Sequence, residues 1–218
     1  MFCWVRKVLA LAFSAALLGC AASASAAGTG HLDLMPLPRS VLGAGSAALV
    51  LAPDSGVVSN AAAAKDAGHG FTAADLATSG RITGYSRDYL LPNATVPQTR
   101  HRLLGVRTIA ELYRDSGTAT RGLAFWRGVT RELSVGQANG VRIAISPFRA
   151  RIGDGAFAFE LAYRQLGQPL YYVGDVVFRS GSLLGAVFVS ATDRVGLRAR
   201  TLRLADRLAT RINRVVAG

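Results

Sequence analysis

The stretch GAFAFELAYRQLGQPLYYVGDVVFRSGSLLGAVFVSAT, residues 155–192, decides the fold. Its three apolar runs, Ala156–Arg164, Leu170–Phe178 and Leu183–Thr192, are separated by Gly167-Gln168-Pro169 and Ser180-Gly181-Ser182. Aromatic and β-branched side chains fit a pleated, half-buried surface, so these runs favour strands. Connections this short leave no room for a crossover and imply antiparallel pairing. Immediately upstream, Gly153-Asp154-Gly155 joins a fourth run, Val141–Phe148, to the set. Downstream, the spacing predicts a long helix over Val195–Val216. Leu197, Thr201, Leu204, Leu208, Ile212 and Val215 form its apolar stripe, and Arg200, Arg203, Arg207, Arg211 and Arg214 form a basic stripe beside it.

Further toward the N-terminus, Leu123, Trp126, Val129 and Leu133 recur at three- and four-residue spacing, which predicts a helix over Gly117–Leu133. Arg81–Leu90 alternates like a strand, and so does Leu103–Ile109, whose continuation to Tyr113 fits either strand or helix. The alanine run Ser59–Ala67 predicts a short helix capped by Ser59 or Asn60. A second short helix, reaching Thr78, follows the capping sequence Thr72-Ala-Ala-Asp75. Leu103-Leu104-Gly105-Val106 and Leu183-Leu184-Gly185-Ala186 echo each other, each in a strand that enters a helix. The expected fold class is α+β: an antiparallel sheet with helices packed on it, the last and longest covering one face.

The leader starts with Arg6 and Lys7, continues as an unbroken apolar run from Val8 to Leu18, and reaches Leu17-Leu18-Gly19-Cys20. A basic start, a short apolar stretch and then small residues make a secretory signal, expected over residues 1–27. Leu-Leu-Gly-Cys resembles the bacterial lipobox, which implies cleavage before Cys20 and lipid attachment to its thiol. Cleavage after Ala22-Ser23-Ala24 or Ala24-Ser25-Ala26 is the competing route, and an uncleaved membrane helix over Val8–Ala27 is a third. Cys3 and Cys20 are the only cysteines, so the mature domain has no disulfide. A lone thiol at the mature N-terminus of an exported protein favours modification, and hence the lipid anchor. Residues 21–48, rich in Ala, Ser and Gly and broken by Pro36 and Pro38, read as a flexible tether. A single α+β domain is expected over 49–218.

Half of the 218 residues are hydrophobic and 17% are charged, a composition that excludes a disordered chain. The formal charge is +12, carried almost wholly by arginine, since Lys65 is the only lysine beyond the leader. Such a charge suits an anionic partner, and it also suits arginines spread over every surface. Nucleic acid is disfavoured as partner, because export removes the protein from it and no binding motif is present.

No catalytic constellation is legible. Gly84-Tyr85-Ser86-Arg87-Asp88 approaches a nucleophile elbow but has Asp88 where the last glycine belongs and lies within a strand. His101 is the only histidine downstream of it and is flanked by Arg100 and Arg102. Gly43-Ala44-Gly45-Ser46 lacks the preceding strand that a dinucleotide loop requires. His31, His69 and His101 are scattered, and Asp66 with His69 is too little for a metal, so no metal site or cofactor is expected. Glu111 and Asp115 share a face if that segment is helical. Asn93-Ala94-Thr95 is a formal glycosylation sequon.

Leu17–Cys20, the segment from Gly80 to Tyr85, and the segment from Val176 to Gly181 leading to the helix after Asp193 together resemble actinobacterial cell-envelope lipoproteins. The similarity is to LpqN-type lipoproteins and to the extracellular sensor-like domains of mycobacterial serine/threonine kinases. Those kinase domains look disulfide-stapled, and the mature chain here departs from them in lacking the cysteines. The resemblance implies a non-enzymatic binding or accessory role at the outer face of the cytoplasmic membrane, and it carries over no site residue. Three functions are therefore expected to compete. The first is binding of an apolar or amphiphilic ligand between sheet and helices. The second is docking of the Arg200–Arg214 ridge on anionic lipid or an acidic partner. The third is a hydrolase built on residues such as Ser86 and His101.

Overall fold

A computed structural model describes residues 31–68, 70–92, 103–132, 141–165 and 168–218. In chain order the strands are β1 (Val50–Leu51), β2 (Gly56–Val58), β3 (Arg81–Leu90), β4 (Leu103–Tyr113), β5 (Val141–Pro147), β6 (Gly155–Gln165), β7 (Gln168–Ser180) and β8 (Leu183–Ala191). The helices are α1 (Asn60–Ala67), α2 (Ala73–Thr78), α3 (Ser116–Glu132) and α4 (Leu197–Ala217). Connections of seven, two and two residues join β5–β8 into an antiparallel meander. β8 then returns beside β4, so one sheet runs β1-β3-β4-β8-β7-β6-β5, with β2 also paired to β3. Every pair is antiparallel. The Leu-Leu-Gly echo lies in β4 and β8, the two neighbours at which the halves of the chain meet.

Side chains alternate across the sheet, so each strand supplies both faces. α4 covers one of them. Its Leu197, Thr201, Leu204, Ala205, Leu208 and Ile212 are buried against Val106, Ala110, Val176, Phe178, Val187 and Val189. Each fully buried Leu or Ile there contributes roughly 2 kcal/mol before ordering entropy is subtracted. The approach is close: a Cβ on Gly174 would lie 2.2 Å from Thr201 Oγ1, so only glycine lets the helix settle here. α3 lies on the other face, against β3, β4, β8 and β7. Gly122 admits the Tyr113 ring, which stands 2.5 Å from where a Cβ would be.

Two expectations need correction. The tether expected over 21–48 is, from residue 31 onward, part of the core, which begins well before Leu49. Leu32, Met35, Leu37, Leu42 and Leu49 are buried in the same cluster as α4, and Leu37 N–H donates to Thr108 Oγ1 at 3.1 Å. This strap, residues 31–49, packs through irregularly spaced apolar side chains and short 3-10 turns. It therefore has no periodicity to betray it. The second correction concerns the end of β4. The strand persists to Tyr113, which puts Glu111 in the sheet and Asp115 in the following turn, not on a shared helix face. There Asp115 Oδ1 accepts from Thr118 N–H at 2.7 Å, a bond that holds the exposed carboxyl below its usual range.

Local signals elsewhere act as expected. Ser59 caps α1 by accepting from Ala62 N–H, and Thr72 with Asp75 forms a reciprocal capping box at α2. No helix among the described residues is long and apolar enough to cross a membrane.

Candidate functional site

The α3 face carries an unusual number of ionisable groups for a sheet interior. Arg81 and Glu111 form a buried ion pair, with Arg81 Nε donating to Glu111 Oε1 at 2.9 Å. The remaining polar atoms of the pair are also used. Arg81 donates to Asn60 Oδ1 at 2.6 Å and to the Val58 carbonyl at 3.0 Å. Glu111 Oε2 accepts from Trp126 Nε1 at 3.0 Å and from the Tyr113 hydroxyl at 3.1 Å. Burial and the adjacent Glu111 charge push the Tyr113 phenol up. The cluster ties β2, α1, β3, β4 and α3 together. A buried pair of this kind costs desolvation and is tolerated only when every donor and acceptor is satisfied. Its role is structural.

Farther along the same face, one hydrogen-bonded row reads Asp88, Arg107, Phe188, Asp175, Phe159 and Pro147, each the register partner of the next. Asp88 and Asp175 are almost fully buried. Among the described residues, neither Asp88 oxygen has a hydrogen-bond partner, and Asp175 has only Thr130 Oγ1 at 3.4 Å on Oδ2. Burial pushes each carboxyl up to about 7, opposed by the Arg107 charge at Asp88 and by the Thr130 hydroxyl at Asp175. Arg107 itself pairs with Asp66 at the end of α1, at 2.9 Å. Three strand spacings of about 4.8 Å separate the two carboxyls, so they stand roughly 14 Å apart. That distance rules them out as an acid–base pair acting on one bond.

What surrounds the row is apolar and only half covered. α3, described over Ser116–Glu132, reaches Asp175 through Thr130. Beside it Ile143, Ile145, Tyr163, Val173 and Phe188 are half-buried over the buried Phe157, Phe159 and Leu161. Tyr163 stacks on Tyr171 with ring centroids 4.3 Å apart, and burial pushes the Tyr163 phenol up to about 12. The face thus offers an apolar, aromatic surface with isolated polar atoms beneath it.

The residues singled out from sequence fall in different places. Cys20, His69, Asn93, Thr95 and His101 lie outside the described residues. Ser86 is buried in the middle of β3 opposite Ile109, which is not a strand-to-helix elbow. Asp66 is engaged with Arg107. Among the described residues, no three His, Cys, Asp or Glu side chains come together. The arginine stripe lies on the far side of the sheet, along α4. There Arg207 donates to the Val41 carbonyl and Arg211 to the Leu34 carbonyl, both in the strap. Asp88, Asp175 and the Arg81–Glu111 pair were not found by motif. Their signal is a lone charge inside an apolar strand, as in Val173-Gly174-Asp175-Val176-Val177 or Thr108-Ile109-Ala110-Glu111-Leu112. Glu160, in Ala158-Phe159-Glu160-Leu161, repeats it on the α4 face, where it pairs with Arg194 and Arg198.

No family model matches the chain, and no curated protein matches it. Among solved structures, the crystal structure of the extracellular domain of PknH from Mycobacterium tuberculosis superposes with a TM-score of 0.54 at 9% identity, covering 84% of this chain and 94% of that one. The chain therefore shares its α+β fold with the extracellular domain of a mycobacterial protein, a likeness of fold across nearly the whole domain.

Proposed function

We propose that this chain is an exported cell-envelope lipoprotein, cleaved before Cys20 and held at the outer face of the cytoplasmic membrane by acyl chains on that thiol. Its domain serves as a sensor-like or accessory module that binds an apolar or amphiphilic molecule, without catalysis. The leader supports the export, and the fold shared with an extracellular domain agrees with it. The expected place for a ligand, between sheet and helix, splits into two. Under α4 the interface is closed, with Thr201, Ala205, Leu208 and Ile212 fully buried. The α3 face is the one that admits a guest. The observation that carries this reading is the half-buried row of Ile143, Ile145, Tyr163, Val173 and Phe188 beyond the end of α3, with Asp175 beneath it.

The test is mass spectrometry of organic extracts from the protein purified from its native envelope. The expected result is a stoichiometric amphiphile from the wild type that is absent from a Val173→Asp variant, whose new charge spoils the apolar surface. Ligand-free wild-type protein, or equal retention by the variant, overturns the binding site. The mass of the intact protein reads the anchor separately, as cleavage before Cys20 with added acyl mass.

A further inference from the structure

The arginine stripe of α4 is not an evenly wetted helix face. With 3.6 residues per turn, Arg200, Arg203, Arg207, Arg211 and Arg214 fall within roughly 80° of the helix circumference. That arc lies on one flank of the buried stripe, and the strap runs along this flank. Arg211 holds the carbonyl of Leu34, Arg207 holds that of Val41, and Arg200 Nη1 lies 3.8 Å from the position a Cβ on Gly45 would take. The strap adds the exposed Arg39, which donates to the Leu49 carbonyl. Arg203, Arg207 and Arg214 are also exposed, against the acids Asp33 and Asp206. Among the described residues, no hydrogen bond or ion pair holds Arg203 or Arg214. Leu34, 42% exposed, adds an apolar side chain to the same seam.

The described part of the strap begins at His31, close to this seam. Cys20 precedes His31 by eleven positions, so even a fully extended chain keeps an anchor on Cys20 within about 38 Å of it. An anchor on Cys20 would thus stand within reach of the seam, whose arginines supply charge that an anionic surface can pair. We propose that the seam between the strap and α4 docks on the anionic surface of the bilayer, orienting the domain with its α3 face turned away from the membrane. The nearness of the bilayer rests on the lipid-anchor reading above, but the docking itself does not need the lipid.

The test uses the chain from Ala21 onward, without leader or lipid, in co-sedimentation with phosphatidylcholine vesicles that contain or lack phosphatidylglycerol. Binding is expected to the anionic vesicles only, and to fall steeply as salt shortens the Debye length from about 10 Å toward 3 Å. Arg203→Glu with Arg214→Glu should weaken it by about thirtyfold or more. The same reversal on α3, Arg121→Glu with Arg127→Glu, should leave it unchanged. Circular dichroism and melting confirm that each variant is folded. Equal binding to both vesicle types, no binding, or an equal loss from the α3 variant overturns the proposal. Should the α4 variant fail to fold, the lipid and salt dependence of the unmutated chain still decides it. An unmodified Cys20 in the native protein would remove the anchor and leave the docking result standing.

Discussion

The two faces of the sheet solve the same packing problem with different chemistry. Under α4, the strap and helix close over an interior that is almost wholly apolar, and the one deep carboxylate among its described residues, Glu160, is paired with Arg194 and Arg198 at the edge. Under α3, Arg81, Glu111, Asp88 and Asp175 are buried within the sheet, and the apolar side chains beyond the helix end are only half covered. Both faces are formed by the same strands, so the difference lies in what covers them. A long helix with a continuous apolar stripe can seal a face, whereas a shorter helix leaves part of one accessible. Burial is most complete on the first, and the proposed binding surface lies on the second.

Four substitutions would break or sharpen that contrast. Glu111→Gln should cost the most, roughly 3–5 kcal/mol in denaturant unfolding, because it leaves the Arg81 charge buried without its partner. A cost below 1 kcal/mol would mean that water reaches the pair. Leu208→Ala, in the sealed face, should cost about 3 kcal/mol by the same measurement, through lost transfer energy and a residual cavity.

Asp175→Asn should instead stabilise the protein at pH 8, by about 2 kcal/mol, because it removes an ionised carboxyl from an apolar site. The folded carboxyl titrates near 7 and an unfolded one near 4, so the native state keeps its proton longer. The wild type therefore loses stability as pH rises from about 4 to 7 and loses no more from this group above that. The advantage of the variant should shrink toward zero as pH falls through the same window, and melting curves that stay parallel from pH 8 to 4 would refute the assignment. The smallest effect is expected from Ile145→Ala, about 1 kcal/mol, since a half-buried side chain has less to lose. If it matches Leu208→Ala, the α3 face is as closed as the other.

Much of this was legible locally. The turn at Ser180–Ser182 dictates a hairpin whatever surrounds it, and the stripe of α4 dictates which side of that helix is buried. The capping signals at Ser59 and Thr72 work within four residues and were readable for that reason. The strap was not, because its leucines have no period and its Ala, Gly and Pro content is equally that of a tether. The candidate site was not legible either. Asp88 and Asp175 are 87 positions apart in the chain and become row-mates only through two intervening strands.

By itself, then, the sequence determined the long strands and helices, the antiparallel meander and the amphipathic closing helix, all of which depend on contacts a few residues long, but not the short β1 and β2, the 3-10 turns of the strap or the end of β4. Only the tertiary structure decided that β8 pairs with β4, that α3 and α4 take opposite faces, and that the strap joins the core. Those outcomes depend on the burial of surfaces far apart in the chain, and no local pattern specifies which apolar surface meets which.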